Sequence, residues 1–365
     1  MTVSEDQMSK PPSLGDVAKA ARLSPAAVSR YLNGSLTLPH GTSRRIDDAI
    51  ALLNYRPNPH ARSLSRGRSD TIGLVVPEIA NPFFSKLAAA VEKAADEVGL
   101  GVMLCSSLNR PERELDYIER LRKNFVDGLL FVTNHSDNGS LAMAINGASS
   151  VVLLDEDVDG ADVSKVFSNN EQGGELAVQL LIEAGHKHIA YVGGPVGLMS
   201  ARERAAGCRR AVKASRSGAE VTVELFGDYA ISHGRAAMTE ILERYADVTA
   251  VFAASDEILI GLLSVLRERG LRVGDYLSVV TFDDAGPLHL LDPPITAIRQ
   301  SIDDIGRRAL ALIQNGLSGT AERITERVPV ELVVRSSVVA PRAPRRRGGR
   351  PARRSAPPIA KGNEL

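Results

Sequence analysis

The spacing of apolar residues between positions 13 and 54 predicts three short amphipathic helices. The first begins at the N-cap Ser13, and the second begins at Ser24, which is followed by a proline in the first helical position. The third is expected to be capped by Thr42. A short turn joins the first two helices, so the pattern is typical of a helix-turn-helix with one packing helix.

From Thr71 onward, apolar strands alternate with amphipathic helices. Strands with continuous valine, isoleucine and leucine are typical of parallel sheets covered by helices on both faces. About ten such strands exceed one comfortable sheet, so we expect two lobes with a cleft between them. The predicted fold is an all-α helix-turn-helix headpiece followed by an α/β two-lobed core. The clearest strands read TIGLVVP, GVMLCSS, SVVLLD, HIAYVGG and VVTFDD.

Prolines and composition mark the boundaries between these parts. Pro57 and Pro59 end the helical unit, because proline lacks a backbone donor and clashes inside a helix. The next stretch, HARSLSRGRS, can form two helical turns at most, which is marginal for an isolated helix in water. The last stretch is rich in Pro, Gly and Arg, and we expect it to be disordered. The predicted organisation is a headpiece at 13–58, a hinge helix at 59–69, a core at 70–340 and a basic tail at 341–365.

The net charge of zero hides an uneven distribution. Residues 1–70 hold 10 basic and 6 acidic residues, and residues 341–365 hold 8 basic residues and 1 acidic residue. Residues 71–340 hold 26 basic and 37 acidic residues. Basic ends on an acidic body indicate that the ends bind a polyanion. For the tail, extra non-specific affinity for DNA and a purely solubilising role both stay open.

Several classes of protein are excluded or disfavoured by the sequence. It contains no apolar run long enough to cross a membrane, and its first dozen residues lack the apolar segment of a signal peptide. We therefore expect a cytoplasmic protein without a membrane partner. Cys105 and Cys208 are too few and too far apart for a disulfide framework or a cysteine zinc site. No phosphate loop or nucleophile elbow occurs, and we predict no enzymatic activity, no cofactor and no metal.

Five motifs stand out along the chain: SLGDVAKAARLSPAAVSRYLNG, EAGHKHIAYVGGP, SARERAAGC, VFAASDEILIG and PPITAIRQSIDDIG. In their order and spacing they resemble those of the LacI/GalR family of bacterial transcription regulators, over about residues 13–335. The resemblance implies a headpiece, a hinge helix that becomes ordered on DNA, and a core like a periplasmic sugar-binding protein. It also implies a homodimer that binds double-stranded, palindromic operator DNA, with an affinity set by a small molecule such as a sugar.

By position, the base-reading residues of that family fall on Pro25, Ala26 and Arg30. Arg30 can donate two hydrogen bonds to a guanine, whereas Pro25 and Ala26 can only pack, for example against a thymine methyl. Arg22 stands in the turn where the family commonly has glycine. Four residues are expected at phosphates, and the first two also cap helices: Ser13, Ser24, Ser29 and Asn33.

In the hinge, Leu64 matches the family leucine that inserts into the minor groove, with Ala61 beside it. A leucine between Arg62 and Arg66 suits a wedge that unstacks base pairs while the arginines contact phosphate. Ser65 replaces a lysine that relatives often carry at that position.

Ligands of two-lobed binding proteins lie at the carboxyl ends of strands, where polar groups converge. Asp155, Arg202 and Asp283 match the positions of the family's effector contacts. Carboxylates and a guanidinium can each form two hydrogen bonds to adjacent hydroxyls, which a sugar offers. Asp256 is expected to act as a helix N-cap. The other predicted contacts are Ser255 and Gln300, with Phe83 or Phe84 as an apolar wall.

The sequence therefore predicts a metabolite-controlled DNA-binding regulator, most simply a repressor. It leaves open a purine as the ligand, stacked on phenylalanine, and activation of transcription in place of repression. The second class of function is a metabolite-binding or enzymatic core that carries a helical module for another reason. Its mark would be a catalytic constellation, and the sequence offers none.

Overall fold

A computed structural model describes residues 12–56, 68–123, 126–146, 150–319 and 322–341. The chain divides into two compact units: unit 1 comprises residues 1–166 and 303–325, and unit 2 comprises residues 167–302 and 326–365. The predicted hinge contacts Ala61, Arg62 and Leu64 lie outside the described residues, as does the chain after Pro341.

The headpiece contains the three predicted helices: α1 (Leu14–Ala21), α2 (Pro25–Leu32) and α3 (His40–Leu53). Ser13 caps α1 in a capping box with Asp16, because the Ser13 N–H donates to Asp16 Oδ2 at 2.8 Å and the Asp16 N–H donates to Ser13 Oγ at 3.3 Å. Ser24 caps α2. A small apolar core holds the helices together and consists of Val17, Ala18, Ala21, Val28, Ile46 and Ala49.

Helix α3 begins two residues before the predicted cap, so the prediction that Thr42 caps it is wrong. Pro39 is the N-cap, and its carbonyl accepts hydrogen bonds from the N–H groups of Thr42 at 2.8 Å and Ser43 at 3.1 Å. Proline has no side-chain acceptor, so this helix start has no side-chain cap.

The core alternates strands and helices, as the sequence predicts. Along the chain, its elements are β1 (Thr71–Val76), α4 (Pro82–Asp96), β2 (Gly101–Ser106), α5 (Pro111–Arg122), β3 (Gly128–Phe131), α6 (Ser140–Asn146), β4 (Val151–Leu154), β5 (Ser164–Ser168), α7 (Asn170–Glu183), β6 (His188–Gly193), α8 (Met199–Ala214), β7 (Glu220–Phe226), α9 (Ile231–Arg244), β8 (Ala250–Ala253), α10 (Asp256–Glu268), β9 (Ser278–Phe282), a 3₁₀ turn (Leu288–Leu290), β10 (Thr296–Gln300), α11 (Ile302–Leu317), β11 (Thr325–Val328) and β12 (Val330–Val333).

The strands form two six-stranded sheets, with the orders β11-β5-β4-β3-β1-β2 and β12-β10-β9-β8-β6-β7. Strands β1 to β5 pair in parallel, as do β6 to β10, whereas β12 runs antiparallel to β10. The parallel strands bury nearly all of their residues in the centre of each sheet, which explains their continuous apolar sequences. The carboxyl ends of neighbouring parallel strands therefore meet at one edge of each sheet.

Within the described ranges, no helix combines the length and the apolar content that crossing a membrane requires.

Candidate functional site

The first turns of α2 present the predicted base-reading residues to solvent. Pro25, Ala26 and Arg30 are exposed, while Val28 on the opposite face is fully buried against α1 and α3. The Arg30 guanidinium Nε donates to the carbonyl oxygen of Ala26 at 3.4 Å, so the arginine lies along the exposed face of its own helix. A major groove accepts a helix of this size, and Arg30 is a side-chain hydrogen-bond donor on the exposed surface of α2.

Helix ends in the headpiece offer donors for a polyanion. Ser24 Oγ accepts a hydrogen bond from the Ala27 N–H at 3.2 Å, and the positive φ of 55° at Arg22 turns the chain between α1 and α2. Ser29 is half-buried and its carbonyl accepts from the N–H of Asn33, which ends α2. Because Pro39 gives α3 no side-chain cap, the first backbone N–H groups of α3 suit a phosphate oxygen.

In unit 2, the carboxyl ends of neighbouring strands bring three predicted effector residues together. Asp283 follows β9, Gln300 ends β10, and Ser255 lies two residues after β8. Gln300 Nε2 donates to Asp283 Oδ1 at 2.5 Å, and Ser168 Oγ donates to Gln300 Oε1. The chain from Ser168 through Gln300 to Asp283 fixes the direction of the carboxylate.

Arg204, which is not among the residues predicted from the sequence, completes this group. Its side chain is buried, its Nε donates to Asn170 Oδ1 at 2.8 Å, and its Nη1 donates to the carbonyl of Ala254 at 2.5 Å. Its guanidinium carbon lies 3.6 Å from the ring centre of Phe282 and 5.8 Å from that of Tyr229. A guanidinium held by hydrogen bonds and stacked on an aromatic ring is a pre-organised donor. We call Ser168, Asn170, Arg204, Asp283 and Gln300 the unit 2 cluster.

The predicted contact Arg202 lies elsewhere. It is exposed, and its Nη1 donates to the carbonyl of Gly197 at 2.6 Å. The signal that separates the two arginines is helical spacing, because Arg204 falls on the buried stripe of α8 and Arg202 does not. A buried arginine needs hydrogen-bond partners inside the protein. An arginine on the buried stripe of a helix is therefore a better candidate for a binding site than an exposed one.

Close packing of α7 and α8 places Arg204 beside Asn170. A Cβ atom on Gly174 would lie 2.1 Å from the carbonyl oxygen of Arg204, and a Cβ atom on Gly207 would lie 2.0 Å from that of Glu171. Small residues at a contact allow two helices to approach closely, and at these two positions only glycine leaves the room that the neighbouring backbone needs. The two glycines therefore set the distance across which Arg204 Nε reaches Asn170.

Burial controls the acid–base properties of this edge of unit 2. It raises the pKa of Asp283, against the opposing effects of the Arg204 charge and the Gln300 hydrogen bond. Burial, reinforced by the charges of Asp283 and Glu257, raises the pKa of Asp256 to about 7. The prediction that Asp256 caps α10 is wrong, because Ser255 Oγ accepts from the Ile258 N–H at 3.3 Å and takes that position.

The predicted effector residues of unit 1 do not form one contact group within it. Phe83, in the first turn of α4, is buried. The neighbouring Phe84, whose ring centre lies 5.2 Å from that of Phe83, is half-buried. Asp155 follows β4 with a φ of 64°, just as Asp283 follows β9 with a φ of 73°. A left-handed backbone at a non-glycine residue costs about 1–3 kcal/mol, and such strain is concentrated at functional sites. Each sheet thus carries an aspartate with a left-handed backbone directly after one of its strands.

Asn170 and Tyr229 are further residues that sequence reasoning missed. Asn170 is fully buried, and its Nδ2 has no hydrogen-bond partner within the described ranges. Because Nε of Arg204 can only donate, the Asn170 oxygen must face the arginine and the Nδ2 donor must point away from it. Tyr229 contributes an aromatic face beside Arg204, and its hydroxyl lies 3.1 Å from Ser200 Oγ. Neither residue stands out by type or spacing in the sequence.

Two family descriptions match the chain: "Bacterial regulatory proteins, lacI family" over residues 13–58, and "Periplasmic binding protein-like domain" over residues 178–338. The HTH-type transcriptional repressor PurR of Mannheimia succiniciproducens is 32% identical over 88% of this chain and 97% of its own length. A Lac repressor dimer bound to operator and the anti-inducer ONPF is similar in structure, with a TM-score of 0.79, 28% identity, and coverage of 91% of this chain and all of that one. A complex of the transcriptional regulator CelR with cellobiose has a TM-score of 0.67 and 33% identity, covering 89% of this chain and 99% of that one.

Proposed function

Because the chain belongs to the LacI family of bacterial DNA-binding transcriptional regulators, we propose that it is a dimeric repressor whose affinity for operator DNA changes when a sugar or sugar derivative binds its core. The observation that carries the DNA part of this proposal is the exposed start of α2, where Pro25, Ala26 and Arg30 are all exposed and Arg30 lies one turn after Ala26, whose carbonyl it contacts. The proposal includes no catalytic step, and it places the protein in the cytoplasm, where the DNA is.

In this proposal α2 lies in the major groove. Arg30 forms two hydrogen bonds with a guanine, which contributes about 1–3 kcal/mol of discrimination between bases. Pro25 and Ala26 read shape and methyl groups, because their side chains have nothing to donate. Ser13, Ser24, Ser29 and Asn33 contact the DNA backbone, together with the uncapped start of α3.

The hinge part of the proposal rests on sequence alone. We assign residues 59–69 to a hinge helix in which Leu64 and Ala61 enter the minor groove and Arg62 contacts phosphate. Residues 13–58 form the headpiece, residues 70–340 the ligand-binding core and residues 341–365 a basic tail.

The unit 2 cluster supports a ligand rich in hydroxyl groups. Asp283 offers carboxylate acceptors, while Arg204 and the Nδ2 of Asn170 offer donors. Donors and acceptors held side by side suit vicinal hydroxyls, since each hydroxyl can donate and accept. Ser255 and Gln300 stay in the proposal as contacts, and Phe84 and Asp155 are the contacts proposed from unit 1. Phe83 and Arg202 fit less well, because one is packed in the core and the other is bonded to Gly197.

Dimerisation has support in unit 1. The edge strand β2 exposes Met103 and Leu104, and a second copy of the chain would cover such apolar residues. A dimer with two-fold symmetry reads a palindromic site, one half-site for each headpiece.

The test is selection of binding sites from a random duplex library, followed by affinity measurements on the selected duplex. We expect a palindromic site, and we expect Arg30→Ala to weaken binding to it by about 5- to 150-fold, which corresponds to about 1–3 kcal/mol. Arg216→Ala, which removes the same charge from an exposed position in unit 2, should leave the affinity unchanged. Failure to enrich any site would refute the DNA part of the proposal.

The ligand is sought separately by thermal shift, with panels of sugars, sugar phosphates, polyols and purines. A ligand that binds only the folded protein raises its melting temperature. Stabilisation by a purine and by no sugar would contradict the sugar assignment. A ligand that leaves operator affinity unchanged would contradict regulation, because coupling between the two sites must be reciprocal.

A further inference from the structure

Asp127 fastens the chain at the point where the predicted hinge enters unit 1. Its Oδ1 accepts two hydrogen bonds from Ser69, one from the backbone N–H at 2.6 Å and one from Oγ at 2.9 Å. Its own N–H donates to the carbonyl of Thr71 at 2.8 Å, at the start of β1. One carboxylate oxygen of Asp127 is thus fully used in holding residue 69 against the sheet.

The other carboxylate oxygen of Asp127 faces a guanidinium. Asp127 Oδ2 is buried without a hydrogen-bond partner within the described ranges, and only 8% of the side chain is exposed. The guanidinium of Arg68 lies close to it, with Nε 4.0 Å from that oxygen. A buried carboxylate is costly unless a charge compensates it, so Arg68 is its counter-ion.

Arg68 is held between two carboxylates while its own side chain stays accessible. Its Nε lies 3.8 Å from Asp70 Oδ1, and 57% of the side chain is exposed. The backbone beside it is fixed, because Ser69 is bonded to Asp127 and the carbonyl of Asp70, at a φ of 49°, accepts from the Gly101 N–H at 2.9 Å. The guanidinium can therefore move to another anion only by leaving these carboxylates.

We propose that Asp127, together with Asp70, restrains the guanidinium of Arg68 and thereby weakens binding of the protein to DNA other than its operator. This inference rests on the proposed DNA-binding function. Each arginine that neutralises a phosphate strengthens binding to any sequence and steepens its salt dependence. An arginine already paired with two carboxylates contributes less of this sequence-independent affinity. Lower affinity for the excess of other sites raises the specificity ratio, which is the quantity that matters on a genome.

The experiment measures binding of full-length protein to a short non-operator duplex, by fluorescence anisotropy, between about 50 and 200 mM salt. Asp127→Asn keeps an acceptor for Ser69 but removes the charge that holds Arg68. We expect tighter binding and a slope of log K against log salt that is steeper by about 0.9 for each additional phosphate contact, one from each protomer of the proposed dimer. Asp247→Asn, the same change at an exposed position of unit 2, is the charge control and should leave the slope unchanged.

Arg68→Ala gives a second, independent readout that does not disturb a buried group. If Arg68 is restrained, its removal leaves the wild-type slope unchanged and also abolishes the effect of Asp127→Asn in the double variant. A slope lowered by about 0.9 for each protomer in Arg68→Ala alone would show that Arg68 already contacts phosphate in the wild type, and it would overturn the inference. An unchanged slope in a folded Asp127→Asn protein, or an equal change in Asp247→Asn, would also overturn it. If the wild type binds no duplex even at the lowest salt, the proposed function itself falls, which is a different outcome.

Discussion

Arg204 donates a hydrogen bond from Nε to Asn170 Oδ1 at 2.8 Å, and this contact fixes which way the Asn170 amide faces. The amide nitrogen is left as a buried donor without a partner within the described ranges. A buried donor without a partner costs about 1–3 kcal/mol, and a ligand oxygen at that position would recover part of this cost. A ligand that accepts a hydrogen bond from Asn170 Nδ2 should therefore raise the stability of unit 2.

We expect Arg204→Lys to abolish the response to the effector while DNA binding persists. Lysine keeps the positive charge, but its single ammonium nitrogen cannot replace the two separate nitrogens, Nε and Nη1, that bond Asn170 and the Ala254 carbonyl in one plane. The measurement is the melting temperature with and without the compound that stabilises the wild type. Arg202→Lys is the matched control, since its guanidinium is exposed and bonded to Gly197. If the response were lost in Arg202→Lys and kept in Arg204→Lys, the effector contact would be Arg202, as the sequence predicted, and not Arg204.

Gly207→Ala should destabilise unit 2 and disturb the same pair. The added Cβ would lie 2.0 Å from the Glu171 carbonyl oxygen, so α7 and α8 must move apart. Overpacking of this kind costs about 1–3 kcal/mol, or about 2–4 °C of melting temperature for each kcal/mol in a domain of this size. Gly286→Ala is the control, because no atom of the described part of the chain lies within 4 Å of its Cβ position. Equal melting temperatures for the two variants would contradict the argument.

Glu114→Gln should stabilise the protein at high pH. Burial raises the pKa of Glu114 to about 7, against the hydrogen bonds that Thr133 and Ser107 donate to it. The native state holds this proton more tightly than the unfolded state, whose carboxyl has an ordinary pKa near 4.5. Stability therefore falls as the pH rises from about 4.5 to about 7, because the buried carboxyl must ionise.

Glutamine has the same shape and no charge, so its advantage over glutamate should grow between about pH 5 and pH 8. The measurement is thermal unfolding of both proteins across that range. Glu119→Gln, at an exposed position on the same helix α5, should show no such dependence. A melting-temperature difference between Glu114→Gln and the wild type that is independent of pH would show that the carboxyl does not titrate in this range.

The order of helices and strands could be predicted from the sequence because each carries its own signal. Helix α2 has Ser24 and a proline at its start, and the central strands are continuously apolar, so local rules identify them. The start of α3 could not be predicted from the sequence, because its N-cap is Pro39. Only the backbone carbonyl of Pro39 accepts hydrogen bonds from the first turn, and a proline side chain gives no capping signal. Strands such as β11 and β12 are short and partly exposed, and their pairing depends on contacts distant in sequence.

The candidate site was predictable only in part, for a related reason. Asp283 and Gln300 follow strands, and parallel strands bring their ends together. The choice between Arg202 and Arg204 depends on which helix face is buried, and the role of Asn170 depends on that arginine. Aspartate is usually exposed, and the sequence around Asp127 contains no recognisable motif. Only the tertiary structure shows that Asp127 contacts Ser69 and Arg68.

The base of the tail is fastened to unit 2 by the last described residues. The Val339 carbonyl lies 2.9 Å from His186 Nε2, and the Val339 N–H donates to Ser278 Oγ at 3.0 Å. The Val339 carbonyl can only accept, so Nε2 of His186 carries the hydrogen between them. Burial lowers the pKa of His186, which favours the neutral ring, in which Nδ1 accepts from Thr249 Oγ1 at 2.8 Å. Truncation after Ala340 retains these bonds and should leave the melting temperature unchanged.

The same truncation removes eight basic residues and should weaken binding to non-operator DNA. If the tail neutralises phosphates, the slope of log K against log salt should become shallower by about 0.9 for each phosphate that the shortened chain leaves free. Replacing Arg345, Arg346 and Arg347 by glutamine in the full-length chain controls for length, and it should reproduce part of the change. A slope that is the same in the truncated, substituted and wild-type proteins would leave the tail as a solubilising segment, because charge that meets no phosphate releases no counter-ions.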